Sequence, residues 1–217
     1  MTTVVVCAGG PRSELCSFEP YKERDDVLFI GADRGALYLI EEGIKLHAIV
    51  GDFDSMSQEE YEHVVKHTRD AQRFKEEKDE TDTDLALMKA LACKPKEIVL
   101  TGVTGGRLDH YEAAMRSIYR LHKENPSVSL IIRNNTNSLQ FLSPGSHVFE
   151  AEQPYRYLSF FAYEHPVEGV TLRHVKYETT DECIELGSSR FTSNEIIGSY
   201  GSISFSQGIC LVIRSID

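Results

Sequence analysis

The sequence predicts an α/β N-terminal domain built on a mainly parallel open sheet, followed by a smaller all-β C-terminal domain of antiparallel sandwich type. Three observations carry this. Short, continuously apolar, β-branched runs alternate with helix-period segments over the first 133 residues. The turn-bearing strand ends are rich in Gly and Asp. After the polar stretch Asn134-Asn135-Thr136-Asn137 the helical pattern stops and only short strand-like pieces recur. The expected domains are therefore residues 1–133 and 138–217.

In chain order, residues 3–8 (Thr3-Val4-Val5-Val6-Cys7-Ala8) have the uninterrupted apolar character of a strand covered on both faces, and Gly9-Gly10-Pro11 ends it. A second such strand covers 27–31. Apolar positions at Ala36, Leu37, Leu39 and Ile40 predict a helix over 33–43, with Asp33 as N-cap and Gly43 as stop. Residues 47–50 form the third strand. Ser57 with Glu60 three residues later is a capping box for a helix reaching about Thr68. Residues 81–93 carry Leu85, Leu87, Met88, Leu91 and Ala92 near one face of another helix. A strand at 97–101, a helix at 108–123 and a strand at 128–133 complete the first domain. In the second, strands are expected at 138–142, 147–150, 157–162, 169–175, 183–186, 200–205 and 208–213, separated by Pro144-Gly145, Pro154, Pro166 and Gly201.

Composition narrows the function. The chain of 217 residues is 41% hydrophobic, and its apolar runs are far too short to span a bilayer. No charged-then-apolar segment opens it, so a cytoplasmic protein without membrane association is expected. A formal net charge of −11 with no basic face argues against a nucleic-acid partner. Five scattered cysteines, none in a Cys-x-x-Cys pair, indicate core thiols rather than a disulfide framework or a zinc site.

The chemistry is concentrated at three loops. In Gly51-Asp52-Phe53-Asp54-Ser55 the two carboxylates follow an apolar strand, and side chains two positions apart in an extended segment face the same way. Glu76 to Asp84 sets six acids against Lys78, and such runs are usually solvated faces. Asp82 differs in standing where a loop enters a helix, so its side chain can reach the cation that Asp52 and Asp54 would hold. Oxygen donors of this kind suit Mg²⁺, which keeps few protein carboxylates and completes its shell with water and phosphate. Thr104-Gly105-Gly106-Arg107-Leu108-Asp109-His110 supplies backbone N–H groups, a helix N-terminus and a guanidinium for phosphate. His110 fits either a helix-start core position or a phosphate contact. No Gly-x-x-x-x-Gly-Lys-[Ser/Thr] loop is present.

Taken together, Ala32-Asp33-Arg34-Gly35, Gly51-Asp52-Phe53-Asp54-Ser55, Lys78-Asp79-Glu80-Thr81-Asp82-Thr83-Asp84, Thr104 to His110 and Ser193-Asn194-Glu195 resemble, in order and spacing, the thiamine pyrophosphokinase family. The likeness covers nearly the whole chain. It implies transfer of the pyrophosphoryl group of ATP to the hydroxyl of thiamine, giving thiamine diphosphate and AMP, in a homodimer. It also implies Asp52, Asp54 and Asp82 for metal, with Asp33 close by; charge then selects the catalytic candidates, Asp82 or Asp54 to orient or deprotonate the hydroxyl and Arg107 with Mg²⁺ to neutralise the developing charge. For the nucleotide it implies Asp33, Arg34, Thr104, Gly105, Gly106, Arg107, Asp109 and His110. Lys78, Ser193 and Asn194 would meet the substrate, in a thiamine-binding and dimer-forming C-terminal domain. The chain has no tryptophan, where some family members stack an indole on thiamine.

Two other classes share part of this pattern. The Asp-x-Asp string is similar to that of haloacid dehalogenase-like phosphatases, whose motif ends the first strand; here about fifty residues precede it, and the later acids and lysine of that family are missing. A non-catalytic nucleotide sensor would bind ATP without needing a metal-carboxylate set.

Overall fold

A computed structural model describes residues 2–53, 56–73, 80–151 and 154–217, with only the backbone described over 69–73. The chain divides into two compact units, Met1–Asn135 and Thr136–Asp217.

In the first unit the strands are β1 (Thr3–Cys7), β2 (Val27–Ala32), β3 (Leu46–Gly51), β4 (Thr68–Arg73), β5 (Glu97–Thr101) and β6 (Ser129–Arg133). They pair in parallel in the order β4-β3-β2-β1-β5-β6. The helices are α1 (Glu19–Lys22), α2 (Gly35–Glu41), α3 (Gln58–Lys66), α4 (Asp82–Ala92) and α5 (Leu108–Glu124). Because side chains alternate across a strand, Val5, Phe29, Ile49 and Val99 face one side, where Ala36, Leu37, Leu39 and Val64 of α2 and α3 cover them. Val4, Val6, Ile30, Ile98 and Leu100 take the opposite parity, and α4 packs on β1, β2, β3 and β5. With both faces covered, β1 is buried along its whole length and β5 from Ile98 to Thr101, and each fully buried Leu or Ile contributes about 1.5–3 kcal/mol.

The sheet reverses direction of growth at β1, whose neighbours are β2 on one side and β5 on the other. That is the switch point where open α/β sheets take ligands, outside the carboxyl ends of the strands. There the loops after β1 and β5 touch: the Ala8 amide donates to the Thr101 carbonyl at 2.9 Å and the Gly10 amide to the Gly102 carbonyl at 2.8 Å. A Cβ on residue 10 would lie 2.3 Å from that carbonyl oxygen, so only glycine lets the loops close.

Three local expectations are corrected. Asp33 is not an N-cap: α2 begins at Gly35 after Arg34, with no side-chain cap bond. Asp33 instead adopts φ 46, and its amide donates to the Val50 carbonyl at 2.9 Å. The strand β4 (Thr68–Arg73) was not expected, because its sequence has neither an apolar run nor an apolar/polar alternation. The short α1 and a 3₁₀ turn at Arg12–Glu14 also escaped the periodicity.

The second unit contains β7 (Asn137–Leu142), β8 (Gly145–Glu150), β9 (Tyr157–Arg173), β10 (Thr179–Ile184), β11 (Asn194–Glu195), β12 (Tyr200–Phe205) and β13 (Gln207–Ser215). The two strands expected at 157–162 and 169–175 are one strand of 17 residues. Its first half pairs with β13 and β11, its second with β12 and β10. It changes partners near Pro166, where β13 shifts register and Glu164 has φ 69. Proline, lacking an N–H, is tolerated at such an irregularity. The halves frame one core that includes Phe149, Phe160, Leu172, Ile203 and Val212, the arrangement of a sandwich sharing a strand between its sheets.

Candidate active site

Three segments bring acids together at the rim. Asp33 follows β2, Asp52 follows β3, and Asp82 is the first residue of α4; one carboxylate oxygen from each lies within 4.8 Å of the others. Local chemistry aims them there. The left-handed turn at Asp33 engages its amide with β3 and leaves its side chain directed at Asp52 and Asp82. Gly51, with φ 155, makes room: a Cβ there would lie 1.9 Å from Asp33 Oδ1.

Capping of α4 is carried by other residues. The Thr81 hydroxyl accepts from the Asp84 amide at 3.1 Å, and Asp84 Oδ2 accepts from the Thr81 amide at 3.2 Å and hydroxyl at 2.7 Å. Asp84 Oδ1 also accepts from Ser117 Oγ and from Arg120 at 3.5 Å, tying α4 to α5. The two acids of the Asp82-Thr83-Asp84 string thus have different surroundings. Asp84→Ala is expected to lower stability by about 2 kcal/mol through the lost cap and the lost bonds from Ser117 and Arg120, the Ser117 hydroxyl keeping its bond to the Ala113 carbonyl. The corresponding fall in Tm is about 4–8 °C, read by thermal melting.

The electrostatics of the cluster are unfavourable without a cation. Burial raises the Asp33 pKa to about 7, helped by a hydrogen bond to Asp82 and by the charges of Asp82 and Asp52; the Phe53 amide opposes the shift. Asp33 Oδ1 is buried with no hydrogen-bond partner. An orphaned carboxylate oxygen among two other carboxylates fits a hard divalent ion with oxygen ligands.

Further along the rim, Gly102 and Gly105 have φ 77 and 75, turning the chain between β5 and α5 so that the loop lies against the one after β1. Gly106 approaches Pro11, its Cβ position being 3.3 Å from Cδ. Arg107 precedes α5 and is exposed. Its Nη2 and Nε donate to Asp109 at 2.6 and 3.1 Å, and Asp109 is pulled down to about 2 by that guanidinium, with a further bond from the His110 amide. An exposed pair of this kind exchanges partners at little cost. His110 is exposed, which removes the core alternative. Thr104 Oγ1 accepts from Asn134 Nδ2 at 2.9 Å. Arg34, on the other side of Gly9, comes within 4.0 Å of Glu60.

In the second unit, Ser193 is exposed with φ 56, and its amide donates to Ser159 Oγ at 2.9 Å. Asn194 is buried: its oxygen accepts from the Tyr177 amide at 2.9 Å and its Nδ2 donates to the Tyr177 carbonyl at 3.0 Å. Its side chain therefore clasps a neighbouring turn. Asp54 and Lys78 lie outside the described residues. Sequence reasoning placed Asp33 at the nucleotide and close by the metal acids, and the structure brings it together with Asp52 and Asp82; it passed over Glu14 and Asn134, the polar run after β6 giving a boundary signal and no site signal.

Residues 21–130 match the family profile for the thiamin pyrophosphokinase catalytic domain, and 146–210 that for its vitamin B1 binding domain. The chain is 36% identical to thiamine pyrophosphokinase of Bacillus subtilis (strain 168) over 217 residues, all of both chains. A crystal structure of the Bacillus subtilis enzyme superposes with a TM-score of 0.92 at 34% identity, covering both chains fully. That of a thiamin pyrophosphokinase family protein from Enterococcus faecalis gives 0.89 at 37%, again over both whole chains. Neither the phosphatase nor the sensor alternative finds support, and the chain belongs to the thiamin pyrophosphokinase family.

Proposed function

We propose that this thiamine diphosphokinase carries out its reaction at the rim of the N-terminal sheet, with Mg²⁺ held by Asp52 and Asp82, joined by Asp33 and Asp54. The observation that carries the reading is the convergence of the Asp33, Asp52 and Asp82 carboxylates, one of which, that of Asp33, keeps a buried oxygen without a partner. When bound, the ion would draw phosphate oxygens to the cluster and offset their charge.

The chain's own residues do the rest. Thiamine's primary hydroxyl attacks the β-phosphorus of ATP in line with departing AMP, and the bed formed by the touching loops at Gly9-Gly10 and Thr104–Gly106 takes the nucleotide. Arg107, released from Asp109, pairs with phosphate oxygens at the mouth of α5, and His110 and Arg34 border the same bed. Asp54 or Asp82 orients the hydroxyl and takes its proton. Lys78 and Ser193 are assigned to the substrate, and Asn194, next to Ser193 in the chain, holds the Tyr177 turn. Arg107→Ala is expected to raise the KM for ATP and lower kcat/KM by about 10²-fold. Steady-state kinetics with each substrate varied in turn checks this.

A homodimer is supported by large exposed apolar side chains on the second unit, with Tyr177 at 62%, Leu186 at 53% and Ile197 at 61% exposure. A cytoplasmic setting is supported by five cysteines that are all free thiols. No helix among the described residues is long and apolar enough to cross a membrane. The deciding experiment mixes protein, MgATP and thiamine. AMP and thiamine diphosphate in equal amounts, formed only when all three are present, support the reading. Phosphate release without thiamine contradicts it.

A further inference from the structure

We propose that Glu14, held in place by Asn134, accepts a hydrogen bond from the nucleoside end of ATP and so fixes which way the nucleotide lies along the rim. The inference rests on the nucleotide bed proposed above and adds its polarity.

The strand order sets out the groups in a line. From β3 through β2, β1 and β5 to β6, the carboxyl ends carry Asp52, Asp33, Gly9-Gly10, Thr104–Gly106 and Asn134. From β2 to β6 is three strand spacings, about 14 Å, comparable to the reach of an extended nucleoside triphosphate. One end of this line holds the converging carboxylates. At the other, Glu14 closes the 3₁₀ turn after Gly9-Gly10-Pro11 and lies over the glycine loop: a Cβ on Gly105 would be 2.2 Å from Glu14 Cγ. The glycine at 105 is thus required to admit Glu14 as well as to make the turn.

Asn134 ties this end together. It is buried at the end of β6, and its Nδ2 donates to Thr104 Oγ1 at 2.9 Å and to Glu14 Oε2 at 3.4 Å. Next to it, Asn135 Nδ2 donates to the Ser13 carbonyl at 2.7 Å, a second tether on the same turn. Loops after three strands are therefore locked by two consecutive amides, and the carboxylate of Glu14 is presented beside the bed.

A carboxylate can only accept, and phosphate at neutral pH offers no donor. Placed against the triphosphate, Glu14 would repel it. The polyphosphate consequently lies toward Asp33, Asp52 and Asp82, the residues that would hold a cation, and the group meeting Glu14 is a donor: a ribose hydroxyl or the exocyclic amine of adenine. Asn134 acts through Glu14 and Thr104 as a positioning residue.

Calorimetric titration of the full-length protein with the Mg²⁺ complexes of ATP, 2′-deoxyATP, 3′-deoxyATP and ITP tests this without needing turnover. Wild type is expected to bind the analogue lacking the relevant donor about 10-fold or more weaker than ATP, the loss typical of a hydrogen bond to a charged group. The analogue affected identifies hydroxyl or amine. Glu14→Gln, which keeps the packing on Gly105, is expected to lose about 10-fold in ATP affinity and to bind that analogue and ATP alike. Asn134→Ala shifts both quantities in the same direction and leaves the KM for thiamine unchanged. Equal binding of all four nucleotides by wild type, undiminished discrimination in Glu14→Gln, or no MgATP binding at all overturns the proposal. Thiamine-dependent AMP formation by wild type, measured alongside, tests the activity separately: if it persists while discrimination is absent, only the role of Glu14 falls.

Discussion

Asp82→Asn is expected to lower thiamine-dependent AMP formation by about 10³-fold or more, with the fold intact. Asparagine keeps the size of the side chain and its place at the first position of α4, whose cap is supplied by Thr81 and Asp84 rather than by Asp82. What changes is charge. Stabilisation of phosphoryl oxygens by a held cation supplies several kcal/mol of barrier reduction, and each 1.4 kcal/mol is about tenfold in rate. Removing one carboxylate from a trio also relieves repulsion, so the Tm in chelator should not fall. The contrast with Asp84→Ala is diagnostic, because that variant loses stability through cap and Ser117 while its acid is no part of the converging set. Near-normal AMP release from Asp82→Asn, measured at saturating MgATP and thiamine, would remove it from the metal set.

The parts of this fold that could be read from the chain were those where local sequence and final environment agree. The strand at 3–8 is apolar throughout because both its faces are covered, and the Ser57–Glu60 box appears in the structure as both of its reciprocal bonds. Asp52 and Asp82 could be picked out because each stands where a regular element begins or ends. What could not be read depends on partners distant in sequence. Asp33 has the composition of an N-cap, yet the pairing of its amide with Val50 turns it into the rim. The polar strand β4 is a strand only because β3 offers it an edge. β9 runs past Pro166 because two sheets need a shared strand. Glu14 and Asn134 are 120 residues apart and meet only when β6 lies beside β5.

Asp33→Asn should move activity and stability in opposite directions. The Asp33 carboxyl titrates near 7 in the folded chain against an ordinary value of 3.8, because burial and the neighbouring Asp82 and Asp52 disfavour its charge. Between those two pH values the folded chain keeps a proton that the unfolded chain releases. The group's effect on stability is therefore most favourable below about pH 4, worsens as pH rises toward 7, and is fully unfavourable above it. Asparagine does not titrate, so in chelator the variant should melt with wild type near pH 4 and above it at pH 8. A three-unit shift corresponds to about 4 kcal/mol, and partial exposure reduces this by screening to about 1–2 kcal/mol. The expected gain at pH 8 is then about 3–6 °C. Adding Mg²⁺ should reverse the order, since binding to the native state raises the melting point of wild type more than that of a variant left with one carboxylate fewer. That rise should itself shrink at pH 5.5, where the proton on Asp33 competes with the ion. Turnover of the variant is expected to fall by about 10²-fold or more, through the loss of one oxygen donor of full charge. An Asp33→Asn protein that melts below wild type in chelator at pH 8, or that gains as much from Mg²⁺ as wild type does, would show that these three carboxylates are held together by something other than a shared cation.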